Sequence, residues 1–307
     1  MAFALRKGSA ANDQISGAAI VAMVRSAIAE ADLQAAERLA RGYRDKNGAT
    51  PEALEAFSWL ARGALNVRRF AKAADYAWQV HRLAVPRLRR VGLDSEPHLA
   101  SALGASIEVL SKTMATRGNH AGAVRFLKRE LAKFGATSIR TRIRKNLNLL
   151  TMEGQAAPEL EIRNFLGPRP PLLAELQGRP VLLFFWAHCC ADSRAEGRIL
   201  VRIRDQFSRR GLVLIGATRR YGYFDEERQK IATLRQELQH IGEVFDRNYA
   251  DLSGMTIPIS ELNFDVYGVS TTPTLVLVDR KGLVSFYHPG KVPYSDLSTR
   301  TRELLIT

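Results

Sequence analysis

The two cysteines of the chain, Cys189 and Cys190, are the residues whose type and spacing best suit a chemical role. They stand side by side in the segment LLFFWAHCCADSRAEG, residues 182–197. A disulfide between neighbours is unfavourable, because adjacent Cα atoms are about 3.8 Å apart and disulfides prefer about 4.4–6.8 Å. Two cysteines also make no disulfide framework. We therefore expect thiols, which are nucleophilic when ionised.

The elements around the cysteines predict how these thiols are held. Residues 180–187 (PVLLFFWA) form a continuous apolar run, which indicates a strand buried on both faces. A helix is predicted over about 193–209. A cysteine at the first turn of that helix lies beside unpaired N–H groups and the positive end of the helix dipole. Both favour the thiolate.

Strand-like and helix-like segments alternate through the rest of the C-terminal half. A boundary with small residues and Pro158 lies within 152–167. Beyond it the pattern predicts strands at 212–218, within 269–279 and at 283–289, and helices near 225–246, near 260–267 and from about 294. Alternation around a buried strand is typical of an α/β domain with helices on both faces.

Two motifs in this half resemble thioredoxin-fold domains of the TlpA/ResA type. The segment LAELQGRPVLLFFWAHCCADSRAE resembles their strand ending in Phe-Trp-Ala, followed by Trp-Cys-x-x-Cys. The segment GVSTTPTLVLVDRKGLV resembles the later element, in which a cis-proline faces the active cysteine. The resemblance covers residues 157–307. It implies a central mixed sheet flanked by helices and thiol–disulfide exchange with protein thiols and disulfides, without a cofactor.

Alignment on these motifs implies a role for each residue of the cysteine segment. The family's active-site Trp falls on Cys189, its attacking cysteine on Cys190 and its resolving cysteine on Ser193. The first thiol is kept and the second is lost. Because a mixed disulfide needs a second thiol to resolve it, a full dithiol cycle is not expected. Three alternatives stay open: a monothiol cycle resolved by an external thiol, a protein that holds its partners as mixed disulfides, or a binding domain with vestigial chemistry.

Neighbouring residues are expected to tune Cys190. Ser193 is one helical turn further on and can donate its O–H to the sulfur. His188 could add positive charge, although at the end of a strand it could equally point elsewhere. Glu196 corresponds to an acid common in the family, although a carboxylate on the helix surface fits the sequence equally well. Trp186 closes the apolar strand, and the polar and aromatic segment 219–230 could form a loop near the site.

Pro273 is predicted to form a cis peptide bond with Thr272. A proline just before the apolar strand TLVLVD would be awkward inside a ladder, and a cis X–Pro bond is usually a specific turn. It would place the Thr272 backbone beside Cys190, where a substrate strand could pair. The predicted site therefore has Cys190, Ser193 and Pro273 as catalytic residues. Its predicted binding residues are Trp186, His188, Cys189, Thr272 and Glu196, with no metal ligand.

Residues 17–153 form a region of a different kind, with helical periodicity and many Ala, Leu and Arg residues. Turn signals at 45–52, 67–69, 91–97, 117–120 and 133–138 divide this region into antiparallel pieces. Some spacings resemble tetratricopeptide helical hairpins, although Ala74 and Ala123 are further apart than a regular array allows. We predict stacked hairpins that recruit a protein partner, preceded by a flexible tail over 1–16. The fold class is α + α/β.

Charge and composition limit the remaining functions. Residues 1–156 contain 25 Lys and Arg against 13 Asp and Glu, whereas the rest contains 20 against 18. The basic segment 139–146 lacks interleaved aromatic residues, so it is predicted to be solvated surface rather than a specific nucleic-acid site. No apolar run approaches the roughly 20 residues of a membrane span. Residues 17–24 (GAAIVAMV) resemble a helix start more than a secretory signal, and the compartment stays undetermined, although related proteins usually work outside the cytoplasm.

The sequence thus favours a degenerate, monothiol thioredoxin-like oxidoreductase in which Cys190 attacks disulfides or oxidised thiols. The alternative is a non-catalytic scaffold that binds other proteins through a vestigial thioredoxin fold. The sequence contains neither a glycine-rich phosphate loop nor the spacing of metal ligands, so no cofactor is expected.

Overall fold

The computed structural model describes residues 16–88, 92–224 and 233–306. The predicted N-terminal tail, apart from its last residue, lies outside these ranges, as do residues 225–230 of the segment predicted near the site. Within the described ranges, none of the helices has the length and apolar character needed to cross a bilayer.

The N-terminal part of the described chain consists of α-helices joined by short turns. These are α1 (Gly17–Ala29), α2 (Leu33–Asn47), α3 (Pro51–Asn66), α4 (Phe70–Arg87), α5 (Pro97–Thr116), α6 (His120–Phe134) and α7 (Arg140–Thr151). Ser16, Asp32, Thr50 and Asn119 each accept a hydrogen bond from a first-turn backbone N–H. Such caps satisfy N–H groups that have no partner within the helix, which explains where these helices begin.

The chain divides into two compact units, Met1–Thr113 and Met114–Thr307. In the first, α3 packs against α1, α2 and α4. The second contains α6 and α7 together with all the strands. This division is based on compactness, whereas the sequence boundary near residue 153 is based on the change from helical periodicity to alternating strands and helices. The domain limits of 17–153 and 157–307 therefore stay a prediction. The tetratricopeptide-like character of the helices is likewise still a prediction.

The second unit is built on a four-stranded mixed sheet. Its strands are β2 (Val181–Phe185), β3 (Val213–Ile215), β5 (Thr274–Val278) and β6 (Val284–Pro289), in the order β3-β2-β5-β6. Strand β2 is parallel to β3 and antiparallel to β5, which is antiparallel to β6. A separate two-residue pairing joins β1 (Phe165–Leu166) to β4 (Ile257–Pro258), which the sequence did not indicate.

Helices cover both faces of this sheet. They are α8 (Ala191–Phe207), α9 (Leu234–Asn248), α10 (Glu261–Val266) and α11 (Tyr294–Ile306). Alternate residues of β2 enter different clusters. Leu182 and Phe184 pack in the core that includes α8, α9 and α11, whereas Leu183 and Phe185 pack with Phe264 of α10 on the opposite face. A strand buried on both faces has no polar position, which is why 180–187 is apolar throughout.

These elements confirm the predicted fold class. A helical N-terminal region precedes a thioredoxin-like α/β domain whose mixed sheet is flanked by helices. The predicted helix at 193–209 begins two residues earlier, at Ala191, and so brings its first turn closer to Cys190.

Helix α7 packs directly against α10, and this corrects the prediction that 139–146 is solvated surface. Arg140 forms an ion pair with Asp265 of α10 at 2.6 Å, and Thr141 Oγ1 donates to the same carboxylate at 2.8 Å. Lys145 is only 9% exposed. Gly268, just beyond α10, has φ +65°, and a Cβ there would lie 2.6 Å from the Lys145 backbone nitrogen. The glycine therefore allows α7 to approach closely.

We predict that Gly268→Ala destabilises the protein by about 2–4 kcal/mol, because it adds a steric clash to a positive φ. Gly178→Ala is the matched control, since Gly178 has φ +86° but nothing within 4 Å of an added Cβ. We expect the control to lose only about 1 kcal/mol. Urea unfolding measures both, and equal losses would contradict the close approach of α7.

Candidate active site

The sulfur of Cys190 is placed by the turn that joins β2 to α8. Cys190 is the N-cap residue of α8, and its carbonyl accepts the N–H of Arg194 at 3.2 Å. Its own N–H donates to the carbonyl of Ala187 at 3.1 Å, which tightens the turn after the strand. Cys190 is half-buried and Cys189 is buried, and both are free thiols. Of the two sulfurs, that of Cys190 is therefore the more open to a partner.

The segment that leads into β5, the neighbour of β2 in the sheet, meets Cys190. The Thr272–Pro273 peptide bond is cis. The Cys190 Sγ donates to the Thr272 carbonyl at 3.3 Å. Pro273 is buried and Thr272 is half-buried. The structure thus brings Cys190 together with Thr272 and Pro273, although Thr272 is 82 positions further along the chain.

Ser193 lies one turn into α8 and is fully buried, with 0% of its surface exposed. Its hydroxyl oxygen accepts the Ala187 N–H at 3.4 Å and so ties the first helical turn to the end of the strand. The predicted O–H donation from Ser193 to the Cys190 sulfur stays a prediction.

His188 and Trp186 have roles different from those that the sequence suggested. His188 is buried, and burial lowers the pKa of its imidazole, so the neutral ring is favoured. Its Nε2 donates to the Tyr223 carbonyl at 2.7 Å. The Nε2 of His188 is thus directed at Tyr223, in keeping with the alternative that this side chain points away from the sulfur. Trp186 is also fully buried and donates to the Gly216 carbonyl at 3.0 Å, so its side chain supports the core rather than contacting a bound protein.

Glu196 is buried inside the domain, which corrects the reading of it as a surface carboxylate. Its side chain is 0% exposed, and Oε1 accepts the Val292 N–H at 3.4 Å. Its other oxygen, Oε2, has no hydrogen-bond partner in the protein. Burial raises the pKa of Glu196 to about 7, although the Val292 N–H and the charge of Lys291 act in the opposite direction.

Two residues that the sequence did not single out complete the electrostatic surroundings of Cys190. Lys291 follows β6 and forms an ion pair with Asp192 at 2.8 Å. Its pKa is raised by Asp192 and, to a smaller degree, by Glu196 and Cys190. Tyr249 is buried at the end of α9, and burial raises the pKa of its phenol, with a further contribution from the charge of Cys190. No local motif marks either residue, because both come to Cys190 through the fold.

Tyr223 is a third residue that the sequence did not single out, although it lies in the segment predicted near the site. The Cys189 S–H donates to the Tyr223 hydroxyl at 3.9 Å. The two sulfurs therefore have different partners, Tyr223 for Cys189 and Thr272 for Cys190.

A metal ion has no evident place in the described part of the chain, where no cluster of three or more His, Cys, Asp or Glu side chains is suited to hold one. The arrangement around Cys190 is suited to thiol chemistry, because this half-buried residue lies between the N-terminus of α8 and the backbone carbonyl of Thr272.

Known proteins similar to this chain include a thiol:disulfide interchange protein and a thioredoxin-like protein. No protein-family profile matches the sequence. The chain is 29% identical over 152 residues to the thiol:disulfide interchange protein DsbE of Escherichia coli, which covers 49% of this chain and 69% of that protein. It is 25% identical over 152 residues to the thioredoxin-like protein YneN of Bacillus subtilis, which covers 48% of this chain and 78% of that protein.

Among solved structures, the C-terminal half is similar to the thioredoxin domain of a thiol-disulfide oxidoreductase from Bacteroides vulgatus. The match has a TM-score of 0.37 and 20% sequence identity, and covers 50% of this chain and 97% of that one. The mixed sheet flanked by helices and the similarity to these two curated relatives support a thioredoxin-like fold for the C-terminal half.

The raised pKa of Glu196 predicts a specific dependence of stability on pH. Between about pH 4.5 and 7 the unfolded chain ionises this carboxyl while the folded protein keeps it neutral. The free energy of unfolding therefore falls as pH rises through this window, by no more than about 3 kcal/mol. Glu196→Gln removes this dependence, so the variant gains stability relative to the parent between pH 4.5 and 8.

Urea unfolding at pH 4.5, 6 and 8 measures this effect, with the exposed Glu243 of α9 changed to Gln as the control. The control is expected to follow the parent. A Glu196→Gln chain with the same pH dependence as the parent would show that Glu196 is ionised in the folded protein.

Proposed function

We propose that this protein is a monothiol thiol–disulfide exchange protein of the TlpA/ResA type, in which Cys190 attacks disulfides or oxidised thiols of other proteins. The observation that carries the proposal is the position of the Cys190 sulfur. It is half-exposed at the N-cap of α8 and 3.3 Å from the Thr272 carbonyl. The relatives named as thiol:disulfide interchange proteins support the same kind of chemistry.

The proposed reaction begins when Cys190 loses its proton. The thiolate attacks one sulfur of a partner's disulfide, a bond forms between the two sulfurs, and the partner's other sulfur leaves as a thiolate. With a sulfenic acid as substrate, the same attack releases hydroxide. Cys190 must first lose the proton that it donates to the Thr272 carbonyl. This carbonyl can then accept a backbone N–H from the partner.

Release of the partner then depends on a thiol from outside the chain. Ser193 occupies the position of a second cysteine and has no sulfur to offer. Cys189 is adjacent to Cys190, and neighbouring Cα atoms at about 3.8 Å are closer than a relaxed disulfide allows. An external thiolate would attack the mixed disulfide, leave with the partner and restore the Cys190 thiolate. Without that thiol the mixed disulfide persists.

Residues around Cys190 would assist this chemistry without touching the reacting bond. The Lys291–Asp192 ion pair lies on the exposed side of the site, where Lys291 adds positive charge near the sulfur. Thr272 and Pro273 supply the backbone against which a partner strand is held.

The helical N-terminal region would recruit the protein partner. Its stacked helices and its excess of Lys and Arg favour a partner with an acidic surface. In its first unit, the indole of Trp59 is half-buried between the guanidinium groups of Arg25 and Arg62, at 4.8 and 4.5 Å from the ring centre. Such a basic and aromatic surface is suited to a protein contact.

Incubation with glutathione disulfide tests the proposed nucleophile. We expect the parent chain and the Cys189→Ala chain to form a mixed disulfide with glutathione, and the Cys190→Ala chain to form at least about tenfold less. Intact-mass measurement and peptide mapping quantify the adduct and locate it. Dithiothreitol should remove it, because the proposed cycle ends with an external thiol.

Equal adduct formation by the Cys190→Ala chain would contradict the proposal. If the parent forms no adduct but still binds proteins without a covalent bond, the alternative of a non-catalytic scaffold is favoured. A second arm offers a mixture of oxidised acidic and basic proteins, and preferential capture of the acidic ones is expected if the helical region recruits the partner.

A further inference from the structure

The turn formed by residues 221–224 is held in place by a buried carboxylate. Glu237, in the first turn of α9, is only 1% exposed. Its Oε1 accepts the backbone N–H groups of both Tyr221 and Gly222, the latter at 3.0 Å. A buried carboxylate is costly unless hydrogen bonds satisfy it. These two N–H groups therefore bind Glu237 and the turn firmly to each other.

Two histidines hold the other half of the same turn. The Nε2 of His188 lies 2.7 Å from the Tyr223 carbonyl, and the Nε2 of His240 lies 3.2 Å from the Phe224 carbonyl. A carbonyl only accepts, so each ring nitrogen is the donor. The two imidazoles also pack edge to face, with ring centres 5.3 Å apart. One backbone group of each of the four consecutive residues 221–224 is thus hydrogen-bonded to a side chain, that of His188, Glu237 or His240.

The result of this anchoring is the position of the Tyr223 ring. Tyr223 lies beside His188 and Tyr221, at ring-centre distances of 6.4 and 5.8 Å, and its hydroxyl accepts the Cys189 S–H at 3.9 Å. Cys189 is 9% exposed, whereas Cys190, the next residue, is half-buried. Both thiols donate a hydrogen bond, Cys189 to Tyr223 and Cys190 to Thr272, so the difference between the two sulfurs is that Cys189 is buried against Tyr223 and Cys190 is the more exposed.

We propose that Glu237 is a positioning residue that makes the two adjacent thiols unequal. By fixing the turn at 221–224 it keeps Tyr223 against Cys189, so that a partner's disulfide meets Cys190 alone. This inference rests on the proposed function for the role of Cys190 and adds what prevents attack by its neighbour. Glu237 does not touch the reacting atoms and acts through the turn and Tyr223.

Sheltering Cys189 has a chemical consequence, because adjacent thiols can react in each other's place. If Cys189 were exposed, it could attack the same disulfides, or attack a Cys190 mixed disulfide, forming a Cys189–Cys190 bond and expelling the partner as a thiolate. That bond would be strained and easily reduced. Shelter of Cys189 keeps exchange at one sulfur and leaves release to an external thiol.

The test measures Cys189 alone, in a Cys190→Ala background, by its rate of alkylation with iodoacetamide. Into this background Glu237→Ala, Tyr223→Ala and Glu237→Gln are introduced separately. Glu237→Ala and Tyr223→Ala are expected to raise the Cys189 rate at least about tenfold, because both remove the shelter of a thiol. Glu237→Gln keeps an oxygen that can accept both N–H groups, and its rate is expected to stay near that of the background chain.

Two controls separate positioning from general loosening. Asp265→Ala removes the ion pair to Arg140 without touching the turn, and it should leave the Cys189 rate unaltered. Glu237→Ala in a Cys189→Ala background should leave the alkylation rate of Cys190 within about twofold. An unchanged Cys189 rate in both Glu237→Ala and Tyr223→Ala, or an equal acceleration of both cysteines, would overturn the proposal.

Because alkylation of Cys189 needs no attack by Cys190, this result is independent of the proposed function. A chain that fails to form a glutathione adduct at Cys190 can still show sheltering of Cys189. Conversely, a chain in which Cys190 is active can still show that Glu237 has no effect on the alkylation rate of Cys189.

Discussion

The contact between the Cys190 sulfur and the Thr272 carbonyl, at 3.3 Å, depends on the pairing of two strands in the centre of the sheet. Strands β2 and β5 are antiparallel, and Phe185 is paired with Thr274. The residues that follow β2 and those that precede β5 therefore emerge at the same edge. A shift of one residue in this register would turn every buried side chain of β2 to the opposite face. The apolar packing on both faces thus fixes the site as well as the strand.

The surroundings of Cys190 keep titratable side chains neutral where they are buried and charged where they are exposed. Burial lowers the pKa of His188 and raises that of Glu196, so the neutral form is favoured in each case. The charged pair Lys291–Asp192 lies at the exposed side.

Local patterns predicted the elements that carry the site, and the family resemblance predicted the approach of Thr272 to Cys190, but other contacts between distant segments could not be predicted. The apolar run at 180–187 contains β2, and the strand after Pro273 is β5, because continuous burial leaves a plain signal in the sequence. The break between α1 and α2 is marked in the sequence only by Asp32, whose side chain caps α2, and a single Asp does not distinguish a helix start from a helix surface. The inward position of Glu196, the neutral ring of His188 and the approach of Lys291 arise from packing between segments far apart in sequence. The docking of α7 on α10 is of the same kind, since Arg140 and Thr141 find their partner at Asp265, more than a hundred residues away.

The central claim is that one sulfur exchanges and that the chain cannot resolve the product. The most direct measurement is the reaction of the native protein with 5,5′-dithiobis(2-nitrobenzoate), following both the thionitrobenzoate released and the mass of the chain. The account predicts about one equivalent released rapidly, with a thionitrobenzoate group retained on Cys190. Release of about two equivalents with no group retained would mean that Cys189 resolves the mixed disulfide, and it would contradict the claim.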